Sequence, residues 1–299
     1  MRALANFIMR GRMQASLVAL VGNLVPMVSP AALGLVTLRR GLGEGLLVLL
    51  WACLPLLAVL FLSSASHLVV MTSIVGMVVV LVAADVLKGT VSWQLTLVTV
   101  LVCCAAALLM LGLLLGTEAA QVIDDVQRVM LNLDGQPEPG VSPFYILMAV
   151  TATSLGIEVV NMNYVLGFLS WLTGLNVIAS LLLARWWQSL LYNPGGFQQE
   201  FHGLRFHVVI ASALMLAVVA CNLLPADYMT WASMVGMPLL LSGISFAHFS
   251  VKLLGLGTVW LVVMYVGLII FSPLSMVLIA VGFLDSFLDF RNRLARSRG

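Results

Sequence analysis

Polar and ionisable side chains set in apolar sequence are the first places to look for chemistry. A charge at the centre of a membrane helix costs roughly 2.5–3.5 kcal/mol and needs a partner or a wet cavity. Three groups qualify here. Thr151, Ser154, Glu158 and Asn161 are spaced so that one continuous helix would carry them as a narrow polar stripe. Such a stripe either lines a polar cavity, with Glu158 as its charged member, or faces water from a helix lying on the membrane surface. Arg185, Trp186 and Trp187 lead into a loop that also holds Glu200 and Arg205. Aromatic residues beside basic ones at a helix end act as interface anchors, and this assortment also suits a lipid head group or a partner. His248 and Lys252 share one helical face, Asp285 and Asp289 another, each pair at i, i+4 spacing. A hairpin over 252–290 would bring both pairs to one membrane side. Lys252 is then the expected partner of Asp285, with His248 as its competitor and Arg39 and Arg40 as further candidates.

Other chemistry is missing from the sequence. Cys53, Cys103, Cys104 and Cys221 lie in apolar runs without a C-x-x-C pair. His67, His202, His207 and His248 lack metal-ligand spacing, and no P-loop, nucleophile elbow or dinucleotide fingerprint occurs. The expectation is a non-enzymatic protein with no cofactor and no metal.

The elements that must position these residues follow from where the charges are not. Of 299 residues 62% are hydrophobic and 9% charged, with a net charge of +2. Charge-free stretches occupy 13–38, 45–84, 89–117, 139–157, 159–184, 206–226, 228–251 and 253–284. A bilayer crossing needs roughly 20 apolar residues. The chain is therefore too apolar for a soluble enzyme, and it has no basic face broad enough for nucleic acid. The fold class is all-α, a polytopic transmembrane helical bundle of about 8–10 membrane segments. The stretch 13–38 follows three arginines like a signal peptide, but its length and lack of a cleavage site read as an uncleaved first segment.

Punctuation divides the long stretches. The polar run 63–67 splits 45–84 into two helices, and Ser272-Pro273 splits 253–284. Single crossings are expected over 93–116, 206–224 and 228–250. Two regions are ambiguous, 13–38 with Pro26 and Pro30, and 143–187. With 13–38 as a tight hairpin and 143–187 as one crossing, only Arg128 falls opposite the other basic residues; the reverse assignment displaces Arg39, Arg40 and Lys88. The positive-inside rule favours the first, with both termini cytoplasmic. The polar segment 117–142 then lies outside, with a short surface helix over 121–133 and a break over 135–140. It divides one membrane domain, 1–299, into an N-terminal half (1–116) and a C-terminal half (143–299).

The C-terminal motifs His248-Phe249-Ser250-Val251-Lys252 and Gly282-Phe283-Leu284-Asp285-Ser286-Phe287-Leu288-Asp289-Phe290-Arg291 resemble those of the YybS-like membrane proteins, a bacterial family of unknown function. Pro26, Pro30, the run Leu38-Arg39-Arg40-Gly41 and the aromatic-basic loop are similar to that family too. The family in turn resembles, distantly, the substrate-binding subunits of energy-coupling-factor vitamin transporters and the membrane subunit of the rod-shape machinery. The resemblance implies a bacterial inner-membrane location and a compact helical bundle, and it carries no catalytic residue across. Two functions compete: a small-molecule- or lipid-binding, transport-type subunit without its own ATPase, and a scaffold for other membrane proteins. The expected partners are the lipid bilayer, with a membrane protein or a second copy as further candidates, and no nucleic acid.

Overall fold

The structure is a computed structural model that describes residues 1–25, 27–63, 66–132 and 141–296. Pro26, Ser64, Ala65, Asp134, Glu138, Arg298 and the break expected over 135–140 lie outside the described residues.

Among these the chain is helical throughout, without a strand. α1 (Arg2–Arg10) and α2 (Arg12–Val21) lead through a short 3-10 turn into α3 (Val28–Arg40). Three long helices follow, α4 (Leu42–Leu62), α5 (His67–Thr90) and α6 (Trp93–Leu114), then α7 (Gly116–Leu131) and α8 (Pro143–Ser154). The C-terminal half holds α9 (Met162–Tyr192), α10 (Gly196–His202), α11 (Val208–Asn222), α12 (Met229–Leu253), α13 (Val259–Ile270), α14 (Pro273–Leu288) and α15 (Phe290–Arg296).

Five helices are long and apolar enough to cross a bilayer, Leu42–Leu62, His67–Thr90, Trp93–Leu114, Met162–Tyr192 and Ala226–Leu253, and four shorter apolar helices accompany them. This is a multi-pass membrane protein. The boundaries have local causes. The Ser92 hydroxyl accepts from Leu95 N and the Asn161 side chain from Tyr164 N, capping α6 and α9. Pro143 and Pro273 occupy first turns, where a missing N–H is harmless. Gly41 joins α3 to α4 at φ 97°, a conformation that glycine adopts freely.

The 13–38 region folds as two short helices turned back on each other. At 13 residues, α3 is about 20 Å long, well short of a hydrocarbon core of roughly 30 Å. All of its residues from Ser29 to Leu38 are buried, and it packs against α4, α5 and α9. Irregular backbone at membrane depth is tolerated where protein encloses it; here the body of α3 is enclosed, while Leu24, Val25 and Met27 beside the turn are exposed. The main core draws on both halves of the chain, with Leu33, Leu35, Val80, Leu97, Leu181 and Trp187 among its members. A second cluster joins α7 and α8 to α9 through Val122, Val126, Met148, Tyr164 and Phe168.

In the 143–187 region α9 is the one helix long enough to cross, and the chain before it is broken. α8 stops at Ser154, Gly156 turns the chain at φ 74°, and α9 begins only at Met162. Near the C-terminus, α12 and α14 run in the same direction, since Gly236 approaches Ile279 and Phe246 approaches Phe290. α13 connects them on the outside of the bundle without a single buried residue.

Candidate functional site

A cavity of about 320 Å³ opens within the bundle. The hairpin tip contributes Asn23 and Met27, α4 contributes Leu56, α5 contributes Thr72, Ser73 and Gly76, α8 contributes Phe144, and α9 contributes Leu172, Thr173 and Asn176. Among the described residues no charged side chain lines it. Met27 forms the hairpin tip at φ 68°, a left-handed conformation rare for a residue with a side chain.

The polar groups here differ in what they already hold. Thr72 donates its hydroxyl to Val69 O (2.7 Å). Asn23 donates its amide to Ala19 O (3.2 Å) and Ala52 O (2.9 Å), and its side-chain carbonyl accepts from no group among the described residues. Ser73, Thr173 and Asn176 have no hydrogen-bond partner among the described residues. Asn176 lies near the middle of the 31-residue α9, roughly 20 Å from either end at 1.5 Å per residue. An amide at that depth without a partner is costly, and such residues in membrane helices mark ligand or ion paths. One face of α9 presents both Thr173 and Asn176, three residues apart. Gly76 keeps α5 clear of them, since a methyl there would lie 3.3 Å from Thr173 Cγ2.

The expected stripe at 151–161 does not exist as a helical face, because the chain leaves the helix at Ser154. Thr151 and Ser154 turn their hydroxyls back to Leu147 O and Thr151 O, each at 2.8 Å. Glu158 is exposed, and its backbone carbonyl accepts from Gln127 Nε2 (3.1 Å) while Val160 N donates to Gln127 Oε1 (2.8 Å). Gln127 thus clamps the linker to α7. Asn161 donates to Asp227 Oδ2 at 2.9 Å, and Asn163 joins it at 3.2 Å. Asp227 separates the charge-free stretches 206–226 and 228–251. It is buried, and it ties the start of α9 to the start of α12.

The opposite end of the bundle collects most of the charge. Asp285 pairs with Arg291 (Nε to Oδ2, 2.9 Å) and not with Lys252 or His248. Lys252 instead donates to Gln198 Oε1 (3.2 Å), and His248 Nε2 meets the Tyr265 hydroxyl (2.8 Å). The reason is the chain reversal at Asp289, which sits at φ 49° and folds α15 back over the end of α14. Arg291 also donates to the carbonyls of His202 and Leu204 and to Ser245 Oγ, pinning α15 to the start of the α10–α11 link. Asp289 is bridged by Arg205 at 2.6 Å. A hydrogen bond from Asn292, with Arg205 beside it, holds the Asp289 carboxyl below the usual range. Burial first, then the positive charges of Lys252, His248 and Arg291, push the His202 imidazole down.

Arg39 stacks over the Tyr192 ring (4.3 Å) and Arg40 donates to Met9 O (2.8 Å), so neither reaches Asp285. Arg185 grips Glu200 with two hydrogen bonds of 2.9 and 2.7 Å, the fork geometry that suits a carboxylate. Trp186 is half-buried, and Trp187 is fully buried in the core, where it cannot serve as an interface anchor.

The cavity residues went unweighed in the sequence because none is charged. Their signal was nonetheless present: Thr173 and Asn176 at i, i+3, and Thr72, Ser73 and Gly76 together, all inside charge-free stretches. Comparison of the chain with family models, with curated proteins and with solved structures gives no match.

Proposed function

We propose that this chain is a transport-type membrane subunit that holds a small molecule or a lipid moiety inside its bundle. It carries no ATPase of its own and performs no catalysis, in keeping with the lack of a nucleotide-binding motif in the sequence. The observation that carries the reading is Asn176, an amide in the middle of α9 that faces a cavity and has no hydrogen-bond partner among the described residues. A pocket with apolar walls and a few convergent polar groups is the usual form of a small-molecule site.

Replacing Asn176 with leucine tests this. The variant protein is expected to express normally and to unfold at an unchanged or higher temperature, because an unpaired polar group has been removed. Native mass spectrometry of protein extracted from membranes should show a bound small molecule on the wild type and lose it in the variant. Identical spectra would favour the scaffold reading. That alternative has its own observation, the wholly unburied α13 with its exposed Trp260, Val263 and Ile270.

The proposed setting is a bacterial inner membrane, supported by the resemblance to YybS-like proteins. The orientation rests on charge. Arg12, Arg39, Arg40, Lys88, Arg185, Arg205, Lys252 and Arg291 belong to one end of the bundle, linked by contacts such as Arg12–Glu44, Arg39–Tyr192 and Arg205–Asp289. The other end holds Arg128 with Glu118, Asp125 and Asp227. By the positive-inside rule the basic end is cytoplasmic, and both termini with it. A cysteine placed at position 136 in a cysteine-free background should then react with an impermeant thiol reagent in intact spheroplasts. Reaction only after permeabilisation would invert the assignment.

A further inference from the structure

We infer that the ligand of the cavity is an uncharged molecule with a hydrogen-bonding head, able both to donate and to accept, and a short apolar tail. This rests on the reading of the cavity as a binding site and adds the chemical class.

Charge is the first argument. Several charged side chains at the bundle's two ends are already engaged. Arg12 binds Glu44, Arg185 binds Glu200, Arg205 binds Asp289, Arg291 binds Asp285, and at the other end His67 meets Glu118. None of these lines the cavity. A charged ligand there would give up hydration without meeting a counter-ion, a penalty that paired or neutral ligands escape.

The start of α3 offers the one competing reading, since Pro30 and Met27 line the cavity and helix N-termini attract anions. That end is poorly equipped for it. Pro30 has no N–H to give, and the Val28 N–H is held by Val25 O at 3.3 Å. An oxyanion would find few free donors.

The neutral groups fit one another as a recognition set. Asn176 supplies two N–H donors and a carbonyl acceptor, Asn23 an open carbonyl, and Ser73 and Thr173 hydroxyls that do either. Met27, Leu56, Val69, Leu172 and Phe144 belong to the apolar remainder. The volume of about 320 Å³ equals on the order of ten water molecules at roughly 30 Å³ each. That admits a short-chain amide or alcohol, or one polar end of a larger molecule.

The test uses the full-length protein in phosphatidylcholine nanodiscs and three probes that share one six-carbon tail: hexanamide, hexanoate and hexylammonium. At mildly alkaline pH the last two stay charged. Tryptophan fluorescence follows the unfolding midpoint against probe concentration for the wild type and for Asn176→Leu. Hexanamide is expected to raise the wild-type midpoint saturably, with half-saturation at least about tenfold below that of either charged probe, and to lose this effect in the variant. An Asn176-dependent shift that is as strong with hexanoate or hexylammonium overturns the neutral-ligand inference while leaving the binding site intact. No Asn176-dependent shift with any probe, together with no bound molecule by native mass spectrometry, overturns the binding reading itself. Equal shifts in wild type and variant report partition into the bilayer and count against both.

Discussion

Arg291→Ala is expected to destabilise the protein by about 3–5 kcal/mol, the range for breaking one partner out of a buried ion pair. Asp285 is 0% exposed, and its Oδ1 has no partner among the described residues, so its carboxylate depends on the guanidinium at Oδ2. Losing Arg291 strands that charge and also releases the carbonyls of His202 and Leu204. Asp285→Ala should be harmful in the converse way, leaving a buried cation. The double substitution leaves neither charge exposed to the interior and should be less harmful than the sum of the two, which is the signature of direct coupling. Lys252→Ala, by contrast, removes an exposed side chain from an exposed Gln198 and should stay within about 0.5 kcal/mol. Unfolding of the purified protein in mild detergent, followed through the denaturation midpoint, measures all four. Additive effects of Asp285→Ala and Arg291→Ala would refute the pairing.

This pair also shows which parts of the architecture a linear reading reaches. Breaks made by side-chain chemistry were legible: the polar run before His67 and the Ser272-Pro273 step divide helices where expected, while the ambiguous 13–38 stretch breaks before Val28 and keeps Pro30 inside α3. Such residues act locally through lost N–H groups or turn preference, so no tertiary knowledge is needed. Partner choice was not legible, because it depends on where a single backbone dihedral sends the chain. On an uninterrupted helix Asp285 and Arg291, six residues apart, would point in widely different directions. Only the left-handed Asp289 brings them together. Gly156 acts the same way on the supposed stripe, breaking a face that was real only for an unbroken helix. The cavity fails for another reason: Asn23 and Asn176 line it from distant parts of the chain, and nothing in the spacing of neutral residues on separate helices states that they share one cavity.

The α12–α14 contact supports the second large effect. A methyl group at Gly243 would overlap the carbonyl oxygen of Leu278 and lie 2.7 Å from its carbonyl carbon. One at Gly282 would overlap Leu239 O and lie 2.8 Å from Gly243 N. Both obstacles are backbone, so no rotamer change relieves them and the helices must separate. Small residues permit this approach, and tight helix packing and weak Cα–H···O contacts supply much of the adhesion between membrane helices. Gly243→Ala and Gly282→Ala should each destabilise by about 3 kcal/mol, the upper end for overpacking, even though alanine itself favours a helix by roughly 1 kcal/mol over glycine. At Gly236 the methyl would press closely on the end of the flexible Ile279 side chain, 3.0 Å away, and touch Val218 at an ordinary 3.6 Å, so Gly236→Ala should be mild. Gly89 has nothing within 4 Å, so Gly89→Ala should be neutral or slightly stabilising. Hydrogen exchange resolved by peptide provides the check, since separation of the helices should raise exchange in α14 and α15 selectively. If Gly243→Ala and Gly282→Ala matched Gly89→Ala in both midpoint and exchange, the close crossing of α12 and α14 would be wrong. The position of Asp285, whose partner Arg291 reaches Ser245 and Leu204, would then be wrong with it.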